Sequence, residues 1–155
     1  MRTVHMICGP LGSGKTTLAR RLEEENAAIR FTHDEWMALL YGQDPPGDRF
    51  PEYFLRISTL INSIWPKCLE LGLDIILDLN YWRRSQRDEA RGIVAARGGT
   101  AILYWLDCSK TAASERIQKR NADAGALFIA PATFELLWPQ FEPPGTDEAP
   151  RIIHA

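Results

Sequence analysis

The sequence predicts an α/β fold in which a mostly parallel, five-stranded sheet has helices on both faces. The main observation is that short, almost wholly apolar runs of strand length alternate with longer segments of helical periodicity. Such alternation is typical of right-handed βαβ units, whose parallel strands are buried on both sides. The length of 155 residues fits one core, so we expect a single domain over residues 1–155.

The first elements form a strand, a turn and a helix. Thr3–Cys8 is a β-prone apolar run that ends at a glycine-rich turn, and helix-spaced leucines predict a helix over Thr16–Asn26. Ala28–Thr32 is the second predicted strand. Asp34 follows it and is placed to cap a helix that begins at Glu35.

The middle of the chain repeats the alternation after a loop. Tyr41–Pro51 is rich in glycine and proline and predicts a surface loop. Glu52–Leu71 has helix-spaced apolar residues, although Pro66 should kink or interrupt that helix. Leu73–Asp78 predicts a buried strand, and Arg83–Ala96 predicts a charged amphipathic helix.

The last third supplies the two remaining strands. Thr100–Leu106 is a buried strand, followed by a helix that ends near Asn121, a stretch of small residues and a short helix. Phe141–Pro150 is rich in turn residues, and Arg151–Ala155 predicts an edge strand. The helix and the small-residue stretch, over residues 112–131, are the expected lid.

Composition excludes several classes of protein. Eighteen basic and twenty acidic side chains give a net charge of −2, so no global positive field holds a nucleic-acid backbone, although a local basic patch remains open. No apolar run approaches bilayer-spanning length, and the N-terminus lacks the pattern of a secretory signal. The three cysteines match neither a zinc nor a redox spacing. We therefore expect a cytoplasmic protein without membrane contact.

The strongest motif is Gly9–Thr16, which matches G-x-x-x-x-G-K-[ST] between a predicted strand and helix. Glycines let backbone N–H groups surround phosphates, and the helix N-terminus favours negative charge there. Lys15 supplies a charge for the β- and γ-phosphates, and Thr16 is the expected Mg²⁺ ligand. The motif predicts a P-loop NTPase fold, and ATP is favoured because no Asn-Lys-x-Asp motif for guanine is present. The residues expected to contact the nucleotide are Gly9, Leu11, Gly12, Ser13, Gly14, Lys15, Thr16 and Thr17.

Two carboxylates follow predicted strands. Asp34 comes after the second strand, at the sheet edge where ligands bind in α/β folds, and a carboxylate there can orient an acceptor hydroxyl. The alternative is a plain helix N-cap. Asp78 ends the third strand and is placed to hold Mg²⁺, the alternative being an ordinary turn residue.

Two groups of arginines are candidates for phosphate contact. Arg116 and Arg120 are four residues apart on one face of a predicted helix, so they are placed to clamp phosphoryl oxygens, or else to form a solvated face. A second group alternates with acidic residues, which favours a solvated face. It consists of Arg83, Arg84, Arg87 and Arg91.

With these motifs the chain resembles the small P-loop kinases of the AAA_33 type, which include polynucleotide 5′-hydroxyl kinase domains, chloramphenicol phosphotransferase and zeta-toxin-like kinases. The resemblance implies a nucleoside-monophosphate-kinase-like fold and covers most of the chain. The matching segments are Gly9–Thr17, Thr32–Asp34, Leu77–Asn80 and Arg116–Asn121.

The resemblance implies roles for several residues. It implies that Asp34 is the base at the acceptor and that Arg116 and Arg120 belong to a lid over the phosphates. Polynucleotide kinases of this group usually have an arginine three residues beyond the aspartate, and here Met37 stands there, which disfavours nucleic acid as the acceptor. The neighbouring apolar and aromatic residues predict an apolar acceptor side, or else they belong to the core. They are Trp36, Met37, Trp65, Tyr81 and Trp82.

The sequence thus predicts a kinase that uses ATP and Mg²⁺ to phosphorylate a hydroxyl of a small molecule, with a polynucleotide 5′-hydroxyl as the second choice of acceptor. The predicted catalytic residues are Lys15, Asp34, Arg116 and Arg120, and the predicted metal ligands are Thr16 and Asp78. The alternative is a nucleotide-binding ATPase or switch module that acts through a protein partner. A third hypothesis is a degenerate nucleotide-binding or structural protein. The sequence does not predict the oligomeric state.

Overall fold

The five strands form one parallel sheet in a computed structural model that describes residues 2–155. The strands are β1 (Thr3–Cys8), β2 (Ile29–Thr32), β3 (Ile75–Asp78), β4 (Thr100–Asp107) and β5 (Arg151–His154). Their spatial order is β2-β3-β1-β4-β5. This architecture confirms the α/β class that the alternating pattern predicts.

Helices cover both faces of the sheet because alternate strand residues point to opposite sides. Val4, Met6 and Cys8 of β1 pack in a cluster with residues of α3 and α4, whereas Ile7 packs on the other face against α1. No helix within residues 2–155 has the length and hydropathy needed to cross a membrane. The helices are α1 (Lys15–Asn26), α2 (His33–Tyr41), α3 (Phe50–Glu70), α4 (Arg84–Ala96), α5 (Lys110–Arg120) and α6 (Pro131–Leu137).

Two local expectations are wrong. Helix α2 begins at His33 with Thr32 at the N-cap position, so Asp34 lies inside the first turn and does not cap the helix. Of the kink or interruption expected at Pro66, the interruption is wrong, since α3 continues to Glu70. Burial of the adjoining helical residues Trp65 and Leu69 offsets the hydrogen bond that proline removes.

The expectation of a solvated face is also wrong for part of the second arginine group. Arg87 on α4 is fully buried, and its Nε donates to Glu148 Oε2 at 2.8 Å. Arg91 donates to the same oxygen at 2.8 Å, and Arg87 Nη1 donates to the carbonyls of Tyr81 and Glu142. Glu148 is distant in sequence, so helix periodicity could not reveal that these arginines hold the segment 141–148 against α4.

Candidate functional site

The glycine-rich loop lies between β1 and α1, in the context that the motif requires. Gly12 has φ 74°, and a Cβ added there would lie 2.5 Å from the carbonyl oxygen of Ala113 on α5. Gly14 is also left-handed, with φ 96°. Ser13 is buried, and its Oγ has no hydrogen-bond partner within residues 2–155. An unpaired buried hydroxyl in a glycine loop at a helix N-terminus fits a phosphate-binding site.

Lys15 lies at the centre of this loop. Its Nζ donates to the carbonyl oxygens of Gly9 at 3.0 Å and Pro10 at 2.8 Å. Burial lowers the pKa of Lys15, the charges of Asp78 and Asp34 raise it, and the charge of Arg120 lowers it. The charges that act on the pKa of Lys15 thus come from three different elements, β3, α2 and α5.

Thr16 and Asp78 meet beside the loop, where Thr16 Oγ1 donates to Asp78 Oδ2 at 2.9 Å. Asp78 is buried, and burial raises its pKa to about 6 although the charge of Lys15 lowers it. A hydroxyl and a carboxylate are hard oxygen ligands, and Mg²⁺ commonly combines one or two protein carboxylates with substrate phosphates. Among residues 2–155 no cluster of three or more His, Cys, Asp or Glu side chains forms a metal site. The pair therefore fits a Mg²⁺ ion that arrives with nucleotide.

Asp34 faces this same region from the first turn of α2. Thr32 at the end of β2 pairs with Asp78, so Asp34 follows the strand end that adjoins the Thr16–Asp78 pair. The charge of Asp34 also raises the pKa of both Lys15 and Asp78. The next residue, Glu35, is paired with Arg30 at 3.0 Å and also with Arg20. Asp34 is half-buried and has no ion-pair partner among the residues that the structure describes. Its carboxylate is available to a bound molecule.

The two lid arginines lie on the loop side of α5. Arg116 Nη1 donates to Cys108 Sγ at 3.2 Å and makes a long contact of 3.5 Å with the carbonyl oxygen of Ser13. Arg120 Nη2 donates to the carbonyl of Leu127 at 3.2 Å, while its buried Nε has no partner within residues 2–155. The structure thus brings Arg116 beside the phosphate loop and ties Arg120 to the segment after α5, and the catalytic roles of both stay predictions.

The segment after α5 is held in place by hydrogen bonds at both ends. The Asn121 side chain donates to the carbonyl of Ile129 at 2.8 Å and accepts from the Ile129 N–H at 3.0 Å. On the other side, Gln43 Nε2 donates to the carbonyl of Asp123 at 2.7 Å, and Phe128 N–H donates to the carbonyl of Gln43 at 2.7 Å. This segment therefore joins the end of α5 to the turn that follows α2, and its Ile129 packs in one cluster with Leu11 of the phosphate loop.

Sequence reasoning missed Gln43, because it binds backbone groups whose proximity depends on the tertiary fold. Asn121 lies in the family segment Arg116–Asn121, but its bonds to Ile129 could not be predicted from the sequence. Of the residues expected on the acceptor side, Met37 is a core residue with 1% exposure. At the position where the related polynucleotide kinases carry an arginine, this chain therefore has a buried, uncharged side chain.

Comparison with known proteins identifies the family and the fold. A family model described as AAA domain, AAA_33, matches residues 4–144. A search of curated proteins finds no significant match. Solved structures match with high probability, and three of them are described next.

A candidate kinase from Chloroflexus aurantiacus J-10-fl is 17% identical with a TM-score of 0.76, covering 99% of this chain and 87% of that chain. A sugar kinase from Janibacter sp. HTCC2649 is 23% identical with a TM-score of 0.64, covering 99% and 85%. A chain of the Pnkp1/Rnl/Hen1 RNA repair complex is 20% identical with a TM-score of 0.73, covering 90% and 43%. These similarities show a shared P-loop kinase fold. Because the family model spans most of the sequence, the chain belongs to the AAA_33 family of AAA domains.

Proposed function

We propose that this protein is a kinase that transfers the γ-phosphoryl group of ATP to a hydroxyl group of a small molecule. The observation that carries the proposal is the convergence of Lys15, Asp34 and Asp78 at one edge of the sheet, where β2 and β3 end side by side and Thr16, next to Lys15, bonds to Asp78. A nucleotide-binding loop needs Lys15 for the phosphates and uses Asp78 to hold the cation, but nucleotide binding does not require Asp34. An unpaired carboxylate opposite the phosphates is what an acceptor hydroxyl needs.

Each residue has a distinct task in this proposal. The loop N–H groups and Lys15 hold the β- and γ-phosphates, and the lid arginines contact the transferring group from α5. Thr16 and Asp78 hold Mg²⁺, which when bound supplies positive charge to the phosphate oxygens. The acceptor oxygen bonds to the γ-phosphorus as the bond to the β–γ bridging oxygen breaks. The hydroxyl proton passes to Asp34, and ADP leaves.

A small acceptor is favoured over a nucleic acid. The chain has a net charge of −2 and lacks the arginine at position 37 that grips a polynucleotide end in the related kinases. The similarity of fold to a sugar kinase supports the same choice. A polynucleotide 5′-hydroxyl remains the second acceptor class, and a location in the cytoplasm, where ATP is supplied, belongs to the proposal.

The test is transfer of γ-labelled phosphate from ATP·Mg²⁺ into pooled sugars, polyols, nucleosides, hydroxylated antibiotics and 5′-hydroxyl oligonucleotides, with products identified by mass. Wild type is compared with Lys15→Ala and Asp34→Asn, and Asp48→Asn in the exposed turn after α2 serves as the matched control. We expect a labelled acceptor with wild type and the control, and none with the other two. Free phosphate as the only product, undiminished by Asp34→Asn, contradicts the proposal and favours the ATPase or switch module.

A further inference from the structure

A groove of about 200 Å³ lies between α3 and α4, beside the start of α2. Its floor is formed by Ile61, Trp65, Tyr81 and Ala90, all of them buried core residues. Its polar lining comes from His33, Ser58, Asn62, Gln86 and Glu89. The volume is below the roughly 300–1,000 Å³ of sites for drug-sized ligands, so the groove fits a smaller molecule.

Two strand ends connect the groove to the phosphate site. His33 lines the groove, and its neighbour Asp34 acts on Lys15. In the same way Leu79 lines the groove, while the preceding residue Asp78 bonds to Thr16. Because Thr32 pairs with Asp78 in the sheet, the groove and the phosphate site adjoin the same two strand ends.

The charge of the groove is negative. Glu89 is the one acidic residue that lines it, and no lysine or arginine belongs to its lining. The buried guanidinium of Arg87 lies behind Tyr81 but is neutralised by Glu148. Burial lowers the pKa of His33 to about 4, so its ring is neutral at physiological pH. An acceptor that carries a carboxylate or a phosphate has no counter-charge here.

The hydrogen-bonding groups suit hydroxyls. Asn62 Oδ1 accepts from Trp65 Nε1 at 3.2 Å, and Gln86 Oε1 accepts from the Arg83 N–H at 3.0 Å. Both amide NH₂ groups are thereby oriented and remain available as donors. Ser58 Oγ is bonded to His33 Nε2 at 2.7 Å, and the Glu89 carboxylate is an acceptor. Donors and acceptors around an apolar floor match a molecule with several hydroxyl groups.

We infer that this groove binds the phosphoryl acceptor, and that the acceptor is a neutral or cationic, hydroxyl-rich molecule of about monosaccharide size. The inference rests on the proposed kinase function and specifies its substrate class. It excludes sugar acids, sugar phosphates and oligonucleotides as preferred acceptors, since each brings negative charge next to Glu89.

The test measures binding and transfer separately. Saturation-transfer NMR without ATP is run on hexoses, hexosamines and polyols, and on sugar acids and sugar phosphates of the same size. The transfer assay then uses the same two panels. Glu89→Lys reverses the charge of the groove at an exposed helix position, and Glu24→Lys makes the same change near the end of α1, away from the groove.

We expect the neutral and cationic panel to bind and accept label, with at least a tenfold loss in Glu89→Lys and no loss in Glu24→Lys. Binding of that panel, sensitive to Glu89→Lys but without transfer, supports the groove while contradicting the kinase function. Transfer that prefers acidic acceptors, or that is unaffected by Glu89→Lys, overturns the groove inference while the kinase function stands. Absence of binding by every member of the neutral and cationic panel also overturns it.

Discussion

Replacing Glu148 with glutamine should lower the free energy of unfolding by about 3 kcal/mol, because it leaves the buried guanidinium of Arg87 without its counter-charge. Removing one partner of a buried ion pair typically costs about 3–5 kcal/mol. The side chains of Arg87 and Glu148 are 0% and 1% exposed, with 2.8 Å between nitrogen and oxygen. Arg87 keeps its bonds to the carbonyls of Tyr81 and Glu142, which places the cost at the lower end of the range.

The same pair predicts how stability depends on pH. Hydrogen bonds from Arg87 and Arg91 hold the pKa of Glu148 at about 2, below its ordinary 4.5. A carboxyl whose pKa is lower in the folded state stabilises the fold fully above the unfolded pKa, and this contribution disappears as pH falls through the folded pKa. The wild type should therefore lose stability between about pH 5 and pH 2, and Glu148→Gln should lose less over that window.

Urea unfolding followed by tryptophan fluorescence measures both effects, since the chain has five tryptophans. Asp147→Asn is the control, because Asp147 pairs with Arg84 in an exposed position and its loss should hardly move the urea midpoint. Equal midpoints for wild type and Glu148→Gln at pH 7 would refute the reasoning. So would an equal decline of both proteins between pH 5 and pH 3.

Two further substitutions test the loop and the lid. Gly12→Ala forces a Cβ to 2.5 Å from a backbone oxygen of α5, so nucleotide binding measured by calorimetry should weaken at least tenfold, whereas Gly47→Ala, with nothing within 4 Å, should bind normally. Gln43→Ala removes the side-chain bond to the Asp123 carbonyl, so amide hydrogen exchange over residues 121–130 should accelerate and hydrolysis of ATP without acceptor should rise. Unchanged exchange in that segment contradicts the second prediction.

The parts of the site that sequence could predict are those fixed by local patterns. The phosphate loop is a continuous motif, and Asp78 directly ends an apolar strand, so the parallel order of strands is enough to bring them to one edge. Lys15 and Thr16 followed from the same motif. The sequence also predicts Asp34 correctly at the edge formed by the carboxyl ends of the strands. Its helix, however, begins at His33, two residues earlier than expected.

Features that depend on packing could not be predicted. Helix α3 continues past Pro66 because the neighbouring residues Trp65 and Leu69 are buried. The sequence pattern predicts a solvent-exposed Arg87, because its partner Glu148 is 61 residues away in the sequence. The groove is also a tertiary feature, since its polar residues come from α2, α3 and α4. Of the residues that line the groove, the sequence pointed to the aromatic residues Trp65 and Tyr81, which are expected on an apolar acceptor side.

The most direct test of the kinase proposal measures two quantities on one preparation of wild type and Asp34→Asn. The first is the Kd for ATP·Mg²⁺, and the second is the rate at which γ-label enters the pooled neutral sugars and polyols. The account predicts a Kd that changes less than about threefold and a transfer rate that falls by about 10²–10⁴, the usual contribution of general base catalysis. Transfer that survives in Asp34→Asn, or label that appears only in free phosphate with wild type, would contradict it.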